Sequence, residues 1–507
     1  MRIVLANPQY PQTFWSFDKP LETIGKKIAL PPLGLLTIAA HLPGNWELRL
    51  RDLPGQNMSE EDWEFCDLIM ITGMVTQYSA MVELIREAKQ RGKAVAVGGP
   101  LAFHVPEDLL KLGADVVVKG EIELAVPRLI ETLERKESGV IIETPPRPGM
   151  EHCLPPRYDL ADFSLYGSMA VQFSRGCPFH CEFCDITYMF GREVRTKSPE
   201  QILQELGVLY DLGWRGEILF VDDNFLGKPI KTKMLLKQLI PWMEKRSYPF
   251  RFQTQASVNL AADEEVLNLM VKAGFFRVFL GIETTDRESL NRTKKVQNVV
   301  MDLDHACQTI NRAGLQVIAG CILGFDGERP GADQRLLDFA TRNSIPEMFI
   351  TLLQAGPGTD LWERLKVENR LLETRPEDTF GSQTGLMNFN PTRPVNQIVE
   401  EFLRLYDVLY QREFYLKRSY EHLLRMVQPT LDRHSPSLPE VRAVIKTLWR
   451  QGVVYSSRWT FWKMLFKGLL NFPKRMDTFF YYCVALEHYE EYRHTIKEQL
   501  TGKVAGS

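Results

Sequence analysis

Two series of short apolar runs, with room for a helix after each run, constrain this chain more than any other feature. Within residues 1–130 the runs read RIVLAN, WELRLRDL, DLIMITGM, KAVAVGG and ADVVVKGE. WELRLRDL alternates. The others are near-continuous, as strands buried on both faces of a parallel sheet must be. Between them lie PPLGLLTIAAHL, with Pro at its start, YSAMVELIREAKQRG, amphipathic and closed by Gly92, and PEDLLKLG; these carry helix start and stop signals. Strand and helix in alternation predict a doubly wound, Rossmann-like sheet over 1–135. Ligands on such sheets bind beyond the carboxyl ends of the strands. Those ends are ANPQYP, RDLPGQN, TGMVTQY, GGPLAFH and KGEIE, and their glycines let a large ligand approach the backbone.

A polar, Pro-rich stretch, ETPPRPGMEHCLPPRYDL, reads as a linker over 136–165. The second series follows: SMAVQFSRG, GEILFVDD, FRFQTQAS, FRVFLGIE, LQVIAGCIL and MFITLLQ. Six strands with crossover intervals predict a partial (β/α)6 barrel over 166–358, its chemistry at the carboxyl strand ends. Residues 359–507 change character and read as a mainly helical domain rich in aromatics and bases. The fold class is therefore α/β with a helical C-terminal region.

Composition excludes little. The chain has 507 residues, 44% hydrophobic and 25% charged, with a net charge of −3, which gives no global case for nucleic acid. No run of about 18 uncharged apolar residues predicts a spanning helix. MRIVLANPQYP has no basic lead or cleavage pattern and does not read as a signal peptide. The cytoplasm is the expected compartment, where clustered cysteines bind metal more often than they form disulfides.

Such a cluster follows the first strand of the second series: FSRGCPFHCEFCD, with Cys177, Cys181 and Cys184. A structural zinc site would complete four ligands, but no second cysteine pair is near and His180 is poorly spaced to substitute. A four-iron, four-sulfur cluster held by three thiolates fits better, its fourth iron open to a non-protein ligand. The other cysteines read as buried or loop thiols, with Cys321 and Cys483 in packing positions.

The motif resembles that of the radical S-adenosylmethionine (SAM) superfamily. The resemblance implies that the open iron chelates the amino and carboxylate groups of SAM, whose cleavage yields a deoxyadenosyl radical. It makes Phe183, between two of the cysteines, a candidate neighbour of adenine. By strand position, Asp222, Asp223, Gln253, Gln255, Ser257, Glu283 and Gln354 are further candidates for SAM contact, with Asn224, Gly320 and Gly324 beside them. Each has a plainer reading as a turn or capping residue.

The domain before the barrel looks like that of the cobalamin-binding radical SAM class, through NPQYP, PPLGLLTIAAHL, VGGP and DVVVKGEIE. The cobalamin fingerprint D-x-H-x-x-G is absent: RDLPGQN has Pro54 where His would stand, which implies a base-off cofactor with no histidine ligand from this loop. Tyr10, Asp52, Thr72, Met74, Gln77, Tyr78, Gly98, Gly99, Gly120 and Glu121 are the candidate cobalamin contacts, with Met74 to Tyr78 toward the lower face. An empty domain kept for docking is the alternative.

Residues 441–476 contain no Asp or Glu but carry Arg442, Lys446, Arg450, Arg458, Lys463, Lys467, Lys474 and Arg475 among Trp and Phe residues. Such a stretch suits a membrane interface or helices packed on the barrel with a solvated basic face. VQFSRGCPFHCEFCDI through VRTKSPEQILQEL, then GEILFVDDNFLG, is similar to hopanoid C-2 methylases and bacteriochlorophyll side-chain methylases. This implies C-methylation of an unactivated carbon on a hydrophobic small molecule, with no identifiable acid or base catalyst. It also implies an electron donor such as flavodoxin or ferredoxin, and a location in the cytoplasm or at the inner membrane face. A non-methylating cyclase or oxidoreductase, and a cobalamin or lipid carrier with a degenerate barrel, are the competing readings. A methylthiotransferase would need three N-terminal cysteines, and only Cys66 precedes residue 150.

Overall fold

Glycine punctuation sets where the barrel strands begin. In the computed structural model, which describes residues 1–144, 147–372, 383–427 and 438–505, helix Glu264–Ala273 is capped by Asp263 and ends at Gly274 with φ 100°. Strand Phe275–Glu283 starts on the next residue. Helix Leu303–Ala313 repeats the device with Asp302 and Gly314, φ 108°. Only glycine adopts this left-handed conformation without strain, so each helix stops where its strand must turn back.

The N-terminal sheet contains β1 (Arg2–Asn7), β2 (Glu47–Asp52), β3 (Leu68–Thr72), β4 (Ala94–Gly98), β5 (Val116–Lys119) and β6 (Val140–Glu143). Its order is β2-β1-β3-β4-β5-β6 and every pairing is parallel. β6 falls inside the stretch read as a linker. It is a four-residue edge strand with only Ile142 fully buried, so it carries little of the apolar signal that marks an interior strand. The strand order reverses between β1 and β3, which makes the crevice beyond Asn7 and Thr72 the expected ligand position.

The second sheet runs β7 (Ser168–Val171), β10 (Gly216–Phe220), β11 (Phe250–Ala256), β12 (Phe275–Glu283), β13 (Gln316–Leu323) and β14 (Met348–Leu352), in sequential order and all parallel. Its ends do not pair with each other, so the barrel is open. A small antiparallel ribbon, β8 (Ser174–Arg175) with β9 (Arg195–Thr196), stands after β7.

One face of the N-terminal sheet (Val4, Ile69, Ile71, Val97) closes on its own helix through Leu84 and Ile85. The other (Ile3, Leu5, Met70, Val118) merges into a core continuous with the barrel and the C-terminal helices. The last helix, Met476–Ala505, packs on the barrel through buried charge. Tyr481 and Tyr489 donate to Glu347 at 2.8 and 2.6 Å, and Arg277 of β12 lies 3.8 Å from the same carboxylate. The segment after β1 threads between helix and barrel: His488 Nε2 lies 3.1 Å from the Thr13 carbonyl, and Phe14 stacks on Tyr489 at 4.6 Å.

A second buried ionic cluster joins the N-terminal domain to the ribbon. Arg175 meets Glu121 and Glu123 at 2.7 Å each, and Arg195 meets Glu121 at 2.7 Å. Burial alone would raise the Glu123 carboxyl, but the Arg175 guanidinium outweighs it and holds the group at about 2. Glu121, expected at the cobalamin face, is thus engaged by two arginines. Removing one partner of such a cluster strands charge in a dry site. Arg175→Met should therefore lower unfolding free energy by about 3–5 kcal/mol in chemical denaturation, and adding Glu123→Leu should recover part of the loss; equal stability of Arg175→Met and wild type would show that the cluster is not a structural joint.

Candidate active site

The ribbon closes the loop 176–194, which carries the three cysteines at the carboxyl end of β7. Gly176 has φ 92°, and a Cβ there would come within 2.9 Å of the Gly191 carbonyl and 3.0 Å of that of Glu193. No other residue fits this crossing without displacing backbone. Cys177 N–H donates to Gly191 O at 3.2 Å.

The end of β10 holds the start of the loop. Asp222, fully buried, accepts from the Phe173 amide at 3.3 Å and from the amide and hydroxyl of Ser174. Asp223 accepts from the Gly176 amide at 2.9 Å. Burial raises both carboxyls, Asp222 to about 7 and Asp223 to about 6. The structure thus places both expected SAM contacts as pins on the loop backbone, with Asp222 engaged on both oxygens. Asn224, next in sequence, points its amide at Cys177 Sγ (3.8 Å) and at Ser257 Oγ (2.9 Å). Gln297 points its amide at Cys181 Sγ, 3.8 Å away. Glu182, inside the motif, is gripped by Arg364.

Lys295 completes the surroundings. It pairs with Glu283. Burial pushes its ammonium down, but Glu283 and then Cys181 outweigh that and leave it above its ordinary value. Burial also pushes up the thiols of all three motif cysteines. A cavity of about 170 Å³ opens onto Cys181 and Cys184, walled by His180, Tyr188, Arg192 and Asp360. Among the described residues no three His, Cys, Asp or Glu side chains converge as a single ion requires. Amide donors at two sulfurs, a buried cation and an open cavity fit thiolates shared with an iron–sulfur cluster.

The remaining SAM candidates lie on the loop itself or along other barrel strands. Phe183 is half-buried, 5.6 Å from the Phe325 ring. Gln253 and Gln255 share the less buried face of β11, opposite Phe252 and Thr254. Glu283 sits at φ 63°, a conformation disfavoured for a non-glycine residue and met most often at functional sites. Gln354 donates to Leu386 O at 3.3 Å. Gly320 and Gly324 are covered by protein: a Cβ would meet Phe279 at 2.4 Å and Met387 at 2.8 Å.

That Phe279 ring belongs to an aromatic wall. Trp15, from the segment after β1, lies 5.5 Å from Phe279 and 5.3 Å from Phe349, which sit on β12 and β14. Phe17 lies 6.1 Å from Trp15. Sequence reasoning missed Lys295, Gln297 and this wall. Lys295 precedes and Gln297 lies within the five-residue helix Val296–Val300, too short for a periodic signal, and Trp15 has meaning only once β1 and the barrel are seen side by side.

At the N-terminal strand ends, Thr72 pairs in register with Gly98, and a Cβ on Gly99 would lie 2.4 Å from Thr72 Oγ1. Gly120, φ 113°, faces the Thr144 hydroxyl. Met74 is exposed and Tyr78 half-buried. Two expected contacts are engaged elsewhere. Asp52 is buried, accepting from Asn7 at 2.8 Å and from Tyr166 at 3.0 Å, and burial raises it to about 6. Gln77 donates to Asn7 and to the Pro8 carbonyl. Tyr10 is half-buried. Pro54 and its loop wall an open cleft of about 470 Å³ with Gln9, Lys26 and Lys27. Gly99 and Gly120 are thus covered by neighbouring threonines, and the room for part of a large cofactor lies in the open cleft beside the β1 and β2 ends; no histidine stands in the 52–57 loop to ligate cobalt. The domain meets the cysteine loop through Phe103 and Tyr188, 5.1 Å apart, and His104 and Asp185, 3.6 Å apart.

The Asp222 pin has a pH signature. An aspartate in an unfolded chain titrates near pH 4, whereas folded Asp222 keeps its proton to about 7, so its contribution to stability is full at low pH and falls as pH rises between those values. Asp222→Asn should flatten the fall in Tm between about pH 5 and pH 8; an unchanged profile would show that Asp222 ionises normally.

Comparison with known proteins agrees with this layout. Residues 27–130 match the B12 binding domain, 171–340 the Radical SAM superfamily and 359–502 a Domain of unknown function (DUF4070). A protein named only as an uncharacterized methyltransferase in Synechocystis sp. (strain ATCC 27184 / PCC 6803 / Kazusa) is 45% identical, over 99% of this chain and 93% of its own. The hopanoid C-2 methylase of Rhodopseudomonas palustris (strain TIE-1) is 33% identical, over 93% and 90%. The solved structure of the cobalamin-dependent S-adenosylmethionine radical enzyme OxsB with aqua-cobalamin bound shares the fold, with TM-score 0.59 at 15% identity over 100% of this chain and 80% of that one. With a cysteine loop pinned at the mouth of an open barrel and a glycine-edged sheet locked against it, the chain belongs to the cobalamin-binding radical SAM methylase family.

Proposed function

We propose that this chain methylates an unactivated carbon of a hydrophobic polycyclic small molecule, hopanoid-like or tetrapyrrole. The observation that carries the reading is the aromatic wall of Trp15, Phe279 and Phe349, whose rings are inclined to one another by 71° and 52° about Trp15 and together make an apolar surface suited to a hydrophobic ring substrate. The full-length similarity to a hopanoid C-2 methylase supports the same class.

In this proposal Cys177, Cys181 and Cys184 would hold the four-iron cluster, SAM would take the open iron, and the strand ends at Thr72, Gly98, Gly99 and Gly120 would hold cobalamin base-off. When bound, these groups supply hydrogen-atom abstraction and a transferable methyl group, with electrons from a donor such as flavodoxin or ferredoxin. The protein's part is placement and exclusion. Asn224 and Gln297 orient two cysteine sulfurs. Asp223 fixes the Gly176 backbone, and Lys295 offsets the thiolate charge. Glu283, Phe183, Gln253, Gln255, Ser257 and Gln354 are the residues that would contact SAM in this reading. The aromatic wall orients the substrate and keeps water from the radical. Hydrogen abstraction asks for no general base.

The test is to supply reconstituted protein with SAM, methylcobalamin and either a hopanoid or a chlorin, and to weigh the product. A gain of one methylene mass with one substrate class supports the reading. Deoxyadenosine without mass gain would favour a non-methylating reaction, and no cleavage of SAM a carrier role. Cys181→Ala should abolish deoxyadenosine formation while the cobalamin absorbance of the protein persists. Trp15→Ala should raise the substrate KM by about tenfold, the loss of one well-packed aromatic contact, and leave SAM cleavage in the absence of substrate unchanged. An unaltered KM would remove the aromatic wall from the substrate site.

A further inference from the structure

The helix Arg458–Asn471 has an unusual surface. Phe461, Met464, Leu465 and Gly468 face inward, as a packed helix requires. Yet Trp459, Phe466 and Leu470 are 75%, 61% and 83% exposed. At 100° per residue these three fall on one stripe, with exposed Lys463 and Lys467 along one side and Arg458 on the other. Trp462 extends the stripe: its indole N–H donates to Gly452 O at 2.9 Å and its ring stacks on Phe466 at 5.8 Å. This joins the stripe to the turn that exposes Val453 and Val454. The preceding helix, Leu438–Trp449, adds exposed Val441, Ile445 and Trp449 at four-residue spacing, beside exposed Arg442.

Not every base in this stretch faces outward. Lys446 pairs with Glu22 at 3.1 Å, Arg450 with Glu487 at 3.0 Å, and Arg475 is buried. Arg442, Arg458, Lys463, Lys467 and Lys474 are exposed, in a stretch without a single carboxylate on a chain of net charge −3. Exposed tryptophan and phenylalanine flanked by lysines that can extend along the apolar surface is the pattern of a face lying in the headgroup region of a bilayer. Redox partners meet through small contacts, for which this many exposed aromatics and aliphatics is poorly suited. Among the described residues no helix is long and apolar enough to cross a membrane, so attachment would be to one leaflet.

We propose that this face, from Val441 to Lys474, docks the protein on an anionic phospholipid surface. The face also adjoins the interior. Lys446 holds Glu22 of helix Asp18–Thr23, and a few residues earlier the same segment presents Trp15 to Phe279 and Phe349. A bilayer-held apolar molecule would therefore meet the protein close to the aromatic wall. The docking itself stands on the surface and does not depend on the substrate reading.

The full-length protein should co-float with vesicles of phosphatidylcholine containing phosphatidylglycerol, and far less with phosphatidylcholine alone. Raising salt from about 50 mM to about 500 mM should weaken binding as charge is screened. Trp459→Ser with Phe466→Ser, and separately Lys463→Glu with Lys467→Glu, should each reduce bound fraction by about tenfold or more, with unchanged circular dichroism and Tm because the side chains are exposed. No flotation of the wild type, or undiminished flotation of both variants, overturns the proposal. So does a wild-type dimer in solution that the variants convert to monomer while flotation is unaffected, or retention of an acidic flavodoxin on this face with no vesicle binding. None of these readouts involves methyl transfer, so failure here leaves the catalytic reading standing, and failure there leaves the docking face standing.

Discussion

Arg175 is separated from the first motif cysteine only by Gly176, and its guanidinium is closed between two carboxylates of the neighbouring domain. Much else depends on this. A buried guanidinium must keep its partners, because breaking the set leaves bare charge in a medium that cannot solvate it. The cysteine loop and the glycine-edged sheet are therefore fixed to one another by a term that cannot be lost by halves. For a reaction in which a substrate carbon must face two different cofactors, a displacement of about 1 Å is costly in rate. The Glu121–Arg175–Arg195 lock supplies that registration where the two domains meet, two residues before Cys177.

The lock works with a second set of constraints from the barrel side. Asp222, Asp223 and Asn224 follow one another at the end of β10, and each reaches the loop differently: to amides and a hydroxyl before the glycine, to the glycine amide, and to a cysteine sulfur. Asp222, with both oxygens accepting, is a poor candidate for a ligand contact, whereas half-buried Asp223 accepts on one oxygen only. Within the tripeptide that resembles a cofactor-binding signature, Asp222 is a brace of the loop. Asn224 is the member whose position, between Cys177 and Ser257, leads toward the site.

Much of this was legible beforehand. The apolar runs placed every interior strand of both sheets, because an interior parallel strand is apolar along most of its length. β6 escaped, being a short edge strand with one buried residue. The cysteine spacing marked the centre of the site, since ligands within one loop must be close in sequence. Strand position alone points Glu121 and Asp52 to the cofactor face. Their real partners, Arg175 and Arg195 in one case and Asn7 and Tyr166 in the other, lie far away in sequence or carry no distinguishing pattern.

The sequence by itself determined the layers, the interior strands of both sheets, the cysteine loop and the basic aromatic tail, all of which follow from local periodicity and spacing. Tertiary structure alone decided which carboxylates are braces, that Lys295 and Gln297 face the cysteines, and that Trp15 joins Phe279 and Phe349. It also sorted the tail's bases into those that pair inward and those that face out. The physical reason is common to all four: hydrogen bonds, ion pairs and ring contacts are fixed by distance in space, and residues as far apart as Trp15 and Phe349 become neighbours only when the two sheets and the last helix close on a shared core.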